Sequence, residues 1–227
     1  MGTSITVKDG DTILSIAHEH QFVDWQYIWD HPRNAELRRL RPDPNILAPG
    51  DRLYIPDPRV GAAQCATTRQ HVFRLKTLSA VVDLVLRNDY GYPFAEVPYE
   101  LEVQGKKISG VTDANGRLCE RVPPTAREGK LTVWLNPNDP ESQLTWTLRI
   151  GHLNPITDAE GKATGDLTGV QARLNNLGFD AGPVTGQMND QTRAAIQEFQ
   201  EYIGHENPTG ELDDETRNLL EFMHNAV

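Results

Sequence analysis

Three short clusters hold the side chains best suited to chemistry. His18, Glu19 and His20 bring two imidazoles and a carboxylate together, the donor types of a metal site or of acid–base catalysis. Around them Ile13, Ile16, Ala17 and His20 fall at i, i+3, i+4 and i+7, the period of a helix with one inward stripe. On such a helix residues two apart point to different faces, so these histidines cannot clamp one ion as an i, i+4 pair does. No metal site is expected. Trp25, Tyr27 and Trp29 offer flat apolar faces of the kind that stack on a sugar ring. Trp25 and Trp29, four apart, share one helical face and read as packing residues, which leaves Tyr27 as the exposed candidate. Arg38, Arg39 and Arg41 form the basic cluster, read as a solvated face or, alternatively, as the counterpart of an acidic patch on a partner.

Nucleophilic catalysis needs a Ser or Cys beside a base. The chain has no GxSxG and no Ser-Gly-Cys or His-Gly-Cys. Cys119, in Arg117-Leu-Cys-Glu-Arg121, lies on a predicted strand with no histidine implied beside it. Cys65 and Cys119 are 54 residues apart without CxxC spacing, which excludes zinc and thioredoxin-type readings. They read as free thiols, or as one disulfide should the protein be exported. The sequence therefore predicts neither an enzyme nor a cofactor.

Charge narrows the partners. The 227 residues carry a formal charge of -10, and the imbalance sits in residues 160–227, with 4 basic against 12 acidic side chains. A sequence pI near 5.1 removes the electrostatic attraction behind most nucleic-acid and anionic-membrane binding. No apolar run has the length of a secretory leader or a membrane span, so synthesis in the cytoplasm is expected. Neutral polymers, proteins and small ligands remain.

These residues are distributed over three segments of different periodicity. In 1–58, the alternating Ile5 and Val7, a turn at Lys8–Asp11, a helix capped by Asp11 or Thr12, a second helix from Asp24 and a strand over 52–55 give the order strand, helix, helix, strand. Residues 34–40 could resume a turn or two of helix. Residues 59–70 are small and read as a linker. In 71–150 the period becomes two, with turn chemistry at Asn88–Gly91, Gln104–Gly105, Asp113–Gly116 and Asn136–Asp139, the pattern of an antiparallel β-sandwich. Its inward residues should include Leu84, Leu86, Leu101, Val103, Leu131, Val133, Trp146 and Leu148. A polar segment, 151–166, reads as a second linker. In 167–227 the helical period returns as three helices, with Thr185–Arg193 echoed by Thr209–Arg217 at five of nine positions. The fold class is thus a multidomain α+β chain.

Over 4–56, the blocks Val7-Lys-Asp-Gly-Asp-Thr-Ile13, Ile16-Ala17, Ile28-Trp29, Asn34 and Leu47-Ala-Pro-Gly-Asp-Arg-Leu-Tyr-Ile-Pro56 resemble a LysM domain. That resemblance implies a shallow groove for N-acetylglucosamine-containing glycan, with Gly10, Asp11, Thr12 and Ile13 opposite Asn45, Ile46, Leu47 and Ala48; Tyr27 stays the stacking candidate on its helical position alone. The stretch between Trp29 and Pro44 is longer and richer in arginine than the pattern. Residues 166–222, with Val170-Gln-Ala-Arg-Leu174, Gly182-Pro-Val-Thr-Gly186, Phe199-Gln200 and Pro208-Thr-Gly-Glu-Leu-Asp213, resemble the three-helix peptidoglycan-binding domain appended to cell-wall hydrolases. The middle segment is similar to bacterial Ig-like or transthyretin-like sandwiches, and the three-part order resembles accessory proteins of type VI secretion spikes. Together the resemblances imply a non-enzymatic binder of peptidoglycan or a chito-oligosaccharide-like glycan, made in the cytoplasm and exported by a contractile machine. The alternatives are a scaffold holding an effector or spike protein, and a wall hydrolase.

Overall fold

The computed structural model describes residues 2–58, 67–70, 72, 77–88, 90–136, 139, 141–158 and 162–225. Cys65, and with it any pairing to Cys119, lies outside them, as does most of 71–76, the start of the period-two segment. The described residues gather into three apolar clusters, each drawn largely from one stretch of chain.

In the first, β1 (Thr3–Thr6) pairs antiparallel with β2 (Arg52–Ile55), placing Ile5 opposite Leu53. Between them run α1 (Ile13–Glu19), α2 (Gln26–Trp29), a 3-10 turn at Pro32–Asn34 and α3 (Ala35–Leu40). Helix α1 starts where it does because Thr12 is extended. Its Oγ1 accepts the Ser15 N–H while the Ser15 Oγ accepts the Thr12 N–H, satisfying N–H groups that the first turn otherwise leaves unpaired. The stripe Ile13, Ile16 and Ala17 is then buried against Leu53 and Ile55. Asn34, 1% exposed, ties the helical side to the strand: its Nδ2 donates to the carbonyls of Ile28 and Tyr54, and its Oδ1 accepts the Tyr54 N–H.

In the second, β3 (Ala80–Val85) pairs with β6 (Arg117–Val122), and a separate four-stranded sheet has the order β5 (Lys106–Val111), β4 (Pro98–Val103), β7 (Glu128–Trp134), β8 (Gln143–Arg149), all antiparallel. Val82, Leu118 and Val122 from the pair meet Leu101, Val103, Leu131 and Val133 from the larger sheet in one core. The β4–β5 connection is Gln104–Gly105, both at positive φ (50° and 76°), the backbone of a tight two-residue hairpin matched to strand twist. Trp146 needs a correction. Register sets it on the side of Leu131, yet β8 is an edge strand and the indole is 37% exposed, so it borders the core and does not fill it.

In the third, α4 (Thr168–Asn176), α5 (Asp190–Tyr202) and α6 (Asp214–Asn225) bury Val170, Leu174, Ala195, Ile196, Phe199 and Leu220 together. The segment read as a linker also contributes: Ile156 is 0% exposed within this core, and the Asn154 carbonyl accepts a bond from Arg173. Its polar composition hid a single apolar anchor.

Candidate functional site

Antiparallel pairing of β1 with β2 sends the turn after β1 and the loop before β2 out of the same end of the sheet. The Val7 N–H donates to the Asp51 carbonyl, and the Gly50 N–H to that of Val7, so the Lys8–Thr12 turn and the 45–51 loop start side by side. Asp51 shapes the second: its Oδ2 accepts the Ala48 N–H at 2.8 Å and Arg41 Nε at 3.0 Å, and its Oδ1 accepts Arg41 Nη2. Asp11 shapes the first, its Oδ2 accepting the Lys8 N–H while its own N–H donates to the Lys8 carbonyl.

The nine residues expected to contact glycan are not equally available. Asn45 is exposed, while Thr12, Ile46 and Ala48 are half-buried. Ile13 (0% exposed) and Leu47 (4%) belong to the core, because the helix stripe and the loop both turn their aliphatic side chains inward, so neither presents a surface. Gly10 and Asp11 are buried for another reason: Arg127 and His152, from the middle unit, lie against them. Tyr27 is half-buried and stacks on Phe22 with ring centroids 5.8 Å apart, which commits one ring face to packing. Trp29 is 6% exposed and Trp25 packs on the same cluster. What the turn and loop offer is a rim of backbone groups with Thr12, Asn45, Ile46 and Ala48.

The arginine cluster is corrected as well. Arg38 Nη1 donates to the carbonyls of Trp29 and His31, at the end of α2, where unpaired carbonyls favour a cation. Arg41 is held in its pair with Asp51, at side-chain exposures of 11% and 7%. Only Arg39 of the three stands as a freely solvated cation among the described residues. Among those residues no group of three His, Cys, Asp or Glu is placed to hold a metal, and no helix is long and apolar enough to cross a membrane.

In the helical unit the echoed turns are held from inside. Gln171, fully buried, accepts the N–H groups of Thr185 and Gly186 on Oε1 and donates from Nε2 to the Gln187 carbonyl and Thr192 Oγ1. In the second copy Gln200 accepts the Gly210 N–H on Oε1 and donates from Nε2 to the Glu211 carbonyl and Thr216 Oγ1. Asn189 and Asp213 cap α5 and α6 through the N–H groups of Thr192 and Thr216. Thus Thr192, Phe199 and Gln200 form the interior of this fold, and Gly186 is half-buried in the turn they hold. Burial dominates the electrostatics of two further cations: it pushes Arg173 and Arg217 below the ordinary arginine range, opposed by Glu221 and Asp43 in one case and Asp214 and Asp213 in the other. Arg173, 0% exposed, spends Nη1 on the Asn154 and Gly169 carbonyls, and its Nε and Nη2 have no hydrogen-bond partner among the described residues.

Three pairs of titratable groups in the middle unit are mutually engaged: Tyr99 donates to Glu120, Lys107 to Glu100, and Arg117 forms two bonds to Asp83. Burial first, and the Glu120 bond second, raise the Tyr99 phenol well above its ordinary value. Cys119 is exposed on β6.

Neither the comparison with curated proteins nor that with solved structures finds a match. Residues 164–220, from the end of the Ile156 segment through most of α6, match the family model described as "Putative peptidoglycan binding domain", so the acidic helical unit is similar to that family.

Proposed function

We propose that the protein is a non-enzymatic binder of peptidoglycan. The family match over 164–220 carries this reading. A second support comes from the first unit, whose short helices between two paired strands and whose adjoining loops agree with a LysM domain, with α3 as an added helix, a module for N-acetylglucosamine glycan. In this reading the rim of Thr12, Asn45, Ile46 and Ala48 pairs with an acetamido group, whose amide needs both a donor and an acceptor. The two sheets sharing one core act as a β-sandwich spacer, and α4–α6 as a three-helix bundle. The protein is made in the cytoplasm and serves as an accessory of a type VI secretion machine that reaches wall after delivery.

A second reading is favoured by one observation: residues 160–227 carry 4 basic and 12 acidic side chains, which repels the stem-peptide carboxylates of the wall. Under it, the helical unit holds a secreted effector or spike protein instead.

Mixing the full chain with insoluble peptidoglycan, sedimenting, and assaying the pellet for protein and the supernatant for muropeptides tests both. Protein in the pellet without muropeptides is the expected result. Protein left in solution removes the wall-binding reading, and released muropeptides remove the non-enzymatic one.

A further inference from the structure

The turn after β1 lies outside the strand and the helix it joins, yet Gly10 is buried and Asp11 is 9% exposed. Both are covered by one corner of the middle unit, built from Arg127 just before β7 and Gly151–His152 just after β8. The corner is itself fixed, since the Ile150 N–H donates to the Arg127 carbonyl and Arg149 Nη2 lies 3.3 Å from His152 Nδ1. Arg127 Nη2 donates to Asp11 Oδ1 at 2.6 Å, its Nη1 donates to the Asp9 carbonyl at 3.1 Å, and His152 Nδ1 lies 3.3 Å from Asp9 Oδ2. The fit is close. A methyl group on Gly10 would sit 2.5 Å from Arg127 Nη1 and 2.6 Å from the His152 ring, and one on Gly151 would sit 2.8 Å from the Thr12 methyl. Leu78, entering β3, packs on the first unit's core as well, so the contact is apolar as well as ionic.

We propose that this corner is an intramolecular latch over the glycan groove, and that glycan engages the first unit only when the corner moves away. The inference rests on the glycan assignment made above for that unit. Its physical content is competition for the same atoms. Asp9–Thr12 cannot face an N-acetylglucosamine chain while Arg127 and His152 occupy that side. A ligand that binds only the open form has its affinity reduced by the fraction of molecules that are open. The ionic arm is only part of the latch, with the Arg127 and Asp11 side chains 38% and 10% exposed, so removing it should raise the open fraction and not abolish the closed form.

The test is isothermal titration of the full chain with the N-acetylglucosamine tetramer, which lacks stem peptides and so isolates the sugar. Arg127→Ala should bind about tenfold more tightly than the unaltered chain, with Arg127→Lys between the two. His152→Ala should shift affinity in the same direction, so the result does not rest on one variant folding well. Equal affinities for all four chains overturn the latch and leave the glycan assignment standing. Weaker binding by Arg127→Ala also overturns it, since Arg127 would then belong to the site. No binding by any chain overturns the latch together with the assignment on which it rests.

Discussion

Gln200 holds the turn that starts α6 with the same atoms by which Gln171 holds the turn that starts α5. Each side chain is fully buried. Each donates from Nε2 to a backbone carbonyl (Gln187 or Glu211) and to a threonine Oγ1 (Thr192 or Thr216), and accepts a glycine N–H (Gly186 or Gly210) on Oε1, all within 2.8–3.0 Å. The sequence echo is therefore the outer half of a two-part device whose inner half is a glutamine on the preceding helix.

Removing either glutamine leaves its turn's buried polar groups without partners, and such groups cost more than the net value of the bonds. Gln171→Ala and Gln200→Ala should each destabilise the helical unit by about 2–4 kcal/mol, measured by denaturant unfolding. A change below about 0.5 kcal/mol in both would mean that water replaces the amide and that the turns hold themselves.

This device also marks where reading the sequence stops. The helix stripes, the Thr12 and Asp213 caps and the Gln104–Gly105 hairpin are local, so residue types a few positions apart specify them. The role of Gln171 and Gln200 is not local in this way, because their partners are backbone groups of a turn that becomes their neighbour only after folding. The same holds for Arg41, which reads as solvated and is bound to Asp51. Contacts such as Arg127 to Asp11 join charges from different units and leave no periodic trace. In the candidate groove, the helix period already turns Ile13 inward, but the resemblance that sets the two loops opposite each other cannot say that Leu47 faces inward while Asn45 faces out.

The Arg41–Asp51 pair sets the loop that carries Asn45 to Ala48. Asp51→Ala strands a guanidinium that is nearly buried and releases the Ala48 N–H, a combination expected to cost about 3 kcal/mol. Asp51→Asn keeps an acceptor for Ala48 and should cost about 1–2 kcal/mol. Thermal unfolding of the two variants checks the order, and equal losses would show that the charge itself contributes nothing.

His224 gives the helical unit a pH dependence near neutrality. Burial, and then the charge of Arg173, hold its imidazole below the ordinary histidine value, with Asn225 opposing them. The unfolded chain therefore takes up the proton first, and stability is lost as the pH falls through the unfolded value of about 6.5. Asp213 acts in a separate, more acidic window. Burial raises its carboxyl, but the Thr216 bonds and His205 outweigh that and lower it, so its stabilisation is lost only as the pH falls below the ordinary aspartate range. Melting temperatures between pH 7.5 and 5 should fall less steeply for His224→Gln than for the unaltered chain. Parallel curves would assign the slope to other groups.

Thr12 and Asn45 are the side chains through which the two loops should meet a sugar. Thr12 is half-buried and also caps α1, whereas Asn45 is exposed and, among the described residues, bonds only locally, its N–H and Nδ2 both donating to Asp43. A loss of glycan affinity on changing Thr12 alone would confuse cap and contact. In the Arg127→Ala background, where the latch is loosened, Asn45→Ala should weaken binding of the N-acetylglucosamine tetramer by about tenfold with no change in melting temperature beyond that of the background. Adding Thr12→Ala should weaken it further and cost about 1 kcal/mol of stability for the lost cap, while Thr12→Ser in its place should retain both cap and affinity. If the tetramer binds the Thr12→Ala, Asn45→Ala chain as tightly as the background, the sugar lies elsewhere on the protein, and the side-by-side start of the two loops serves only to close the fold.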